Sequence, residues 1–185
     1  MKLPIVAYGD PVLRKVCTDI EQEYPNLQQL ITNMFDTMYA ASGVGLAAPQ
    51  VGLPIRLFIV DIGGEDDDEG FKKVFINAQI LEETGEPWAF NEGCLSIPEI
   101  REDVFRKPNV RIKYLDENWK EHTIEVNGMP ARVIQHEYDH IQGKLFTDTL
   151  SLLRKRMLKS KLDAIAKGNI QTDYKMKFPN QNKKR

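Results

Sequence analysis

His136-Glu137-Tyr138-Asp139-His140 sets two imidazoles four residues apart, with a carboxylate beside the first. On a helix, residues four apart share a face one turn apart, so both rings can grip a single metal ion. Glu137 then stands where it can take the proton of a water that the ion activates. The chemistry implied is metal-assisted hydrolysis. Val133 shares the helix face and Met129 lies a turn earlier. The histidines are therefore expected to point inward, where a buried ring needs a polar or metal partner.

A catalytic metal of this kind uses three protein ligands and keeps one position open. The usual third ligands of such motifs are absent. Gly143 is in place for the extended motif, but Phe146 stands where its third histidine belongs; residues 157–161 hold no carboxylate. His122, the remaining histidine, alternates with Ile124 and Val126 and is expected to be satisfied at a sheet edge. Cys94, in Asn91-Glu92-Gly93-Cys94-Leu95-Ser96, is the stronger candidate, because Gly93 permits close backbone approach. Cys17 has no polar companions and reads as packing. A thiolate and two imidazoles leave a divalent ion one positive charge with which to acidify water.

The elements that must carry these residues follow from periodicity. Leu27, Leu30, Ile31, Met34, Phe35 and Met38 make the apolar face of a helix over Pro25–Ala41, stopped by Ser42-Gly43. Gly43–Pro54 is uncharged and rich in Gly and Pro, so it is expected to be irregular and closely packed. Strands are expected at Arg56–Asp61 and Val74–Leu81, with an acidic loop around Gly63–Gly70. Val110, Ile112 and Tyr114 alternate, as do His122, Ile124 and Val126, which predicts an antiparallel hairpin turning at Asp116-Glu117-Asn118. The motif helix runs from Pro130 to about Ile141, with proline in the first turn where its missing N–H costs little. A basic helix over Leu152–Lys167 ends at Gly168.

The chain has 185 residues and a formal net charge of −2. That suits one domain with a real core and offers no global field for DNA. The charge is uneven: residues 151–185 hold 11 Lys/Arg against 2 Asp/Glu, net +9, and the first 150 residues carry net −11. Residues 1–168 are expected to form a single catalytic domain and 169–185 a basic, flexible tail. Two cysteines do not make a disulfide scaffold. The longest uncharged run, Thr37–Ile55, is broken by Gly and Pro and is not a membrane span. The expected location is the cytoplasm, with no membrane partner.

Three segments together resemble one family. Gly43-Val44-Gly45-Leu46-Ala47-Ala48-Pro49-Gln50, Glu92-Gly93-Cys94-Leu95-Ser96 and Gln135-His136-Glu137-Tyr138-Asp139-His140 are similar to the three motifs of the peptide deformylases, in the same order. The resemblance covers about residues 3–165, and Ser96-Ile97-Pro98-Glu99 is similar to the bacterial form. It implies removal of the formyl group from N-formylmethionyl peptides. It implies Cys94, His136 and His140 as ligands to one divalent ion, Fe²⁺ in the cell, with Zn²⁺ or Ni²⁺ able to replace it. Glu137 would be the proton carrier, and Gln50 and the backbone N–H of Leu95 would stabilise the developing oxyanion. Val44, Phe90, Met129 and Val133 would line the methionine pocket, and Gly45, within Gly43–Leu46, would pair with the peptide backbone.

Elements and resemblance together imply an α+β fold, with antiparallel β-sheets around a central motif helix and further helices towards both ends. Asp139 faces away from the ligands, and Arg106 is its expected ion-pair partner. Glu92 is expected to hold the Cys94 loop and a ligand's far nitrogen. Phe90 and Arg132 replace aliphatic residues; Phe90 is expected to narrow the pocket and Arg132 to point outward. The basic C-terminal segment suggests contact with ribosomal RNA. Two rivals remain at this level: an endopeptidase, which would keep its metal on Cys94→Ser, and a structural metal protein, whose site would be closed by four protein ligands.

Overall fold

The structure, a computed structural model, describes residues 1–63 and 70–179. Five antiparallel strands form the main sheet: β2 (Gly45–Ala47), β3 (Leu57–Ile62), β4 (Phe71–Thr84), β7 (Asn109–Leu115) and β8 (Glu121–Asn127), in the order β2-β3-β4-β7-β8. Strands β5 (Trp88–Cys94) and β6 (Ile97–Arg106) form a separate hairpin. Strand β1 (Ile5–Val6) pairs in parallel with β9 (Met176–Lys177).

Alternation along β3 explains the layering. Leu57 and Ile59 face one side, Phe58 and Val60 the other, and all four are fully buried. Helix α1 (Leu27–Ala40) covers the first side, packing Ile31, Met34 and Met38 against Leu57 and Ile59. Helix α2 (Gly128–Ile141) covers the second, with Ala131, Ile134 and Ile141 against Phe58, Phe75 and Ile112. Burying each of these large apolar side chains contributes roughly 1.5–3 kcal/mol. A third cluster joins Ile97, Ile100 and Val104 of β6 to Phe146 and to Leu158, Leu162 and Ile165 of α3 (Leu152–Ala166). The motif helix thus lies between the sheet and the β5–β6 hairpin, and the α+β expectation holds.

Helices α1 and α2 both stop at residues of positive φ. Ser42 adopts a positive φ of 55° as α1 ends, and the Gly43 N–H returns to the Met38 carbonyl at 2.9 Å. Gly143, at φ +70°, turns the chain after α2 with its Cα against the Arg14 backbone; a Cβ there would lie 2.6 Å from the Arg14 carbonyl oxygen.

The structure departs from expectation in four places. Gly43–Pro54 is partly regular: it contains β2 and a 3-10 turn over Ala48–Val51. Strand β4 runs three residues further at each end than the apolar pattern reaches, its outer half exposed and polar. The β5–β6 hairpin was not expected, because Glu92 and Glu102 occupy inward positions where an apolar residue would mark a strand. Residues 169–179, expected as part of a loose tail, return to the body. The Ile5 N–H donates to the Lys175 carbonyl at 2.8 Å, and the Ala7 N–H to Lys177 at 2.9 Å. Most of the acidic loop expected around Gly63–Gly70, and residues 180–185, lie outside the described residues.

Candidate metal centre

Cys94 is the last residue of β5, at a tight turn. The β5–β6 register jumps there: Gly93 pairs with Arg101 but Cys94 with Ile97. Residues 98–100 bulge out, with Glu99 at φ +64°. This brings the thiol over α2, where it lies 3.3 Å from His140 Nε2. The ligand atoms of Cys94, His136 and His140 all fall within 4.8 Å of one another, and the two imidazole rings stand 5.1 Å apart at 78°. One sulfur and two ring nitrogens converging in this way suit a four-coordinate divalent ion. Cys94, His136 and Glu137 also line one cleft of about 610 Å³, so an ion held by Cys94, His136 and His140 would be reachable from it. His122 is elsewhere, satisfied by Asp116 Oδ2 at 2.7 Å as an edge residue. Cys17 is buried in the apolar core.

A buried charge network fixes the His136 ring. Glu92 Oε2 meets His136 Nδ1 at 3.0 Å, leaving Nε2 for the site. Arg106 grips Glu92 with two hydrogen bonds, at 2.8 and 3.1 Å, and reaches Asp139 Oδ2 at 2.7 Å. The expected Arg106–Asp139 pair and the expected Glu92 role are both present. Burial alone would raise the Glu92 carboxyl, but hydrogen bonds from His136 and Arg106 and the Arg106 charge bring it down to about 2. Burial opposes charge on His136 too, yet Cys94, Glu92 and Glu137 raise its pKa well above the usual imidazole value. The field that favours a proton there also favours a cation. Burial and the charges of His136 and Arg106 hold His140 well below that value, so it stays neutral and able to ligate. Its Nδ1 finds no partner among the described residues.

Arg132 corrects one expectation. It does not point outward but is buried at 2% exposure. Its guanidinium donates to Glu92 Oε1 at 2.9 Å and to the carbonyls of Val104 at 2.9 Å and Trp88 at 2.7 Å. It also lies 4.4 Å from the Trp88 ring centre and 5.8 Å from that of Phe90. Arg132 thus ties the hairpin carrying Cys94 to the helix carrying the histidines. The spacing 132-136-140 was the signal: each is four residues from the next, on one helix face.

Gln50 and Glu137 complete the polar lining. Gln50 is buried in the 3-10 turn after β2. Its Oε1 accepts from the Ala47 N–H at 2.9 Å, which turns Nε2 toward Cys94 Sγ at 3.5 Å and Ser96 Oγ at 3.3 Å. The amide therefore presents a donor beside the metal ligands. Glu137 is buried, and its Oε2 has no hydrogen-bond partner among the described residues. Burial pushes its carboxyl up to about 7, against the pull of the His136 charge; a neighbouring metal cation would favour the carboxylate. Gly45 makes room for it, since a Cβ there would lie 2.5 Å from Glu137 Oε1.

Leu95, Val44, Phe90, Met129 and Val133 line the same cleft as these groups, so the structure brings every expected site residue to one place. The lining segment Gln171-Thr172-Asp173-Tyr174 was missed; nothing in its sequence neighbourhood marks it.

Comparison with known proteins agrees with this geometry. The family model for polypeptide deformylase matches residues 2–156. The chain is similar to a peptide deformylase of Christiangramia forsetii, 61% identical and covering all of both chains. It is also similar to one of Flavobacterium psychrophilum, 58% identical over 96% of this chain and 97% of the relative. The crystal structure of a peptide deformylase from Legionella pneumophila superposes with a TM-score of 0.81 at 41% identity, covering 91% of this chain and 98% of that one.

Proposed function

The chain belongs to the peptide deformylase family and is a metal-dependent hydrolase that removes N-formyl groups, and we propose how its residues divide that work. Cys94, His136 and His140 hold one divalent ion. When bound, it supplies Lewis acidity, lowering the pKa of a water and polarising the formyl carbonyl.

Glu137 accepts the proton of the attacking water on its unpartnered Oε2 and returns it to the leaving amine nitrogen. Negative charge collects on the formyl oxygen as the carbon becomes tetrahedral. Gln50 Nε2 and the backbone N–H of Leu95 donate to that oxygen; both are fixed before substrate arrives, so little reorganisation is needed. Formate and a free N-terminal amine are the products. Val44, Phe90, Met129 and Val133 receive the methionine side chain, with Phe90 narrowing the slot beside Arg132. Gly45, in the run Gly43–Leu46, pairs with the backbone of an N-formylmethionyl peptide. The resident ion in the cell is Fe²⁺, with Zn²⁺ or Ni²⁺ able to take its place.

The observation that carries this reading is the convergence of one thiol and two imidazoles beside an unpartnered buried carboxylate. The test is anaerobic purification with metal analysis, then assay on formyl-Met-Ala and on unformylated Met-Ala peptides. Formate release without internal cleavage is expected. Cleavage of internal peptide bonds, or full metal occupancy in Cys94→Ser, overturns the reading.

We place this activity in the cytoplasm, where nascent chains emerge and a thiol ligand stays reduced. Arg154, Arg156, Lys159 and Lys161 of α3 are exposed, and we propose that this face meets ribosomal RNA. Ribosome co-sedimentation that weakens with added salt and with charge reversal at Arg156 and Lys161 is expected; association indifferent to both sinks the idea.

A further inference from the structure

The segment after α3 reaches the cleft. Gln171, Thr172, Asp173 and Tyr174 form part of its wall, and the Tyr174 phenol donates to the Leu95 carbonyl at 2.8 Å. The segment is anchored just beyond this point by the β1–β9 pairing. Within it, the Thr172 hydroxyl donates to the Tyr174 carbonyl at 2.8 Å. From the adjoining stretch of chain, the Tyr8 N–H donates to the Ser96 carbonyl, also at 2.8 Å. The two carbonyls that follow Cys94 are therefore both held by groups outside the hairpin.

Each residue has only two soft backbone torsions. Cys94 is fixed on one side by its place over the histidines. Holding the Leu95 carbonyl fixes the other side, and the Leu95 amide between them has little freedom left. The Leu95 side chain adds a third restraint, since its Cδ1 sits where a Cβ on Gly43 would come within 2.8 Å.

We propose that Tyr174 is a positioning residue for deformylation: acting through the Leu95 carbonyl, its phenol aims the Leu95 N–H at the formyl oxygen. This rests on the reading of that N–H as an oxyanion donor. Such donors work only when held within about half an ångström of the productive geometry. The segment lies past residue 156, where the family-model match ends.

The test uses the full-length, metal-loaded enzyme and Tyr174→Phe, which keeps the packed ring and removes only the hydroxyl. A kcat lower by about tenfold is expected, less than removal of a whole donor. KM, melting temperature and metal stoichiometry should stay at wild-type values. Amide exchange at Leu95 should quicken. Unchanged kcat and unchanged exchange overturn the proposal alone. Faster exchange with unchanged kcat removes Leu95 from the oxyanion donors and takes the proposal with it. A rise in KM at constant kcat makes Tyr174 part of the peptide wall, and a kcat loss matched by metal loss makes its role structural; either overturns the proposal. A wild-type enzyme that releases no formate refutes the assigned function instead.

Discussion

Glu92 Oε2 and His136 Nδ1 lie 3.0 Å apart inside the protein, and the same carboxylate is gripped by Arg106 and Arg132. One acidic residue thus orients a metal ligand and neutralises a buried cluster of positive charge. Groups that hold a ligand's far nitrogen typically change metal affinity by 10–100-fold when lost. Glu92→Gln keeps an acceptor but leaves two guanidinium groups short of an anion. A drop in affinity of about that size is expected in chelator competition. Affinity equal to wild type would show that the contact does not orient His136.

Glu137 and Gly45 should fail in related ways. Glu137→Gln retains size but cannot carry a proton, so kcat should fall by about 10²–10⁴-fold with metal bound at full stoichiometry. Gly45→Ala inserts a Cβ 2.5 Å from Glu137 Oε1 and must displace the carboxylate. A loss approaching about 10²-fold in kcat is expected from that misplacement. Steady-state formate release with parallel metal analysis checks both.

The Arg14–Asp148 pair should give acid-sensitive stability. Burial raises the Asp148 carboxyl, but the Arg14 hydrogen bond, the Leu145 N–H and the charges of Arg14 and Lys155 outweigh it and hold it below 3.8. A carboxylate depressed on folding contributes stability that is fully present above its unfolded pKa and lost as pH falls through the folded one. Both side chains are over 40% exposed, so screening limits the contribution to under about 1 kcal/mol. Urea denaturation should show Asp148→Asn weaker at pH 7, with the gap closing below pH 4. A gap that persists at low pH would rule out the ion pair as its source.

The two cysteines should label differently. Burial pushes the Cys17 thiol up to about 11, against the Arg56 charge, so little thiolate forms there at neutral pH. Alkylation near pH 8 should modify one thiol after chelation of the metal, and none in chelated Cys94→Ser. Protection of that thiol in the loaded enzyme, read by mass spectrometry, checks ligation directly. Rapid modification at Cys17 would contradict its burial.

Much of the site was legible because its chemistry sits in short contiguous runs. His136, Glu137 and His140 announce themselves by helical spacing, and the family resemblance suggested an ion pair for Asp139, with Arg106, 33 residues earlier, as its partner. Strands β7 and β8 were legible because one face is buried and one wet, while their register, Val110 opposite Val126 and Ile112 opposite Ile124, is set by a turn longer than expected. The β5–β6 hairpin was not, because its inward row mixes Trp88 and Phe90 with Glu92. Arg132 misled because charge in a sequence reads as surface: its place four residues before His136 put it on the ligand face, where its two terminal nitrogens bond Glu92 and the carbonyls of Val104 and Trp88. Tyr174 lies 79 residues from the Leu95 carbonyl it touches, a pairing that no local pattern encodes.

Strands β4 and β7 pair directly, so the chain between them leaves the sheet at Thr84 and rejoins it at Asn109. The sulfur ligand rides on this detour; both imidazoles ride on a helix clamped to the sheet. Lifting the detour away from Phe146 and α3 would pull the coordination sphere apart while all five strands stayed zipped. The contacts of Ile97, Ile100 and Val104 with Phe146 and α3 therefore hold the ligand set together, and it can part without complete denaturation.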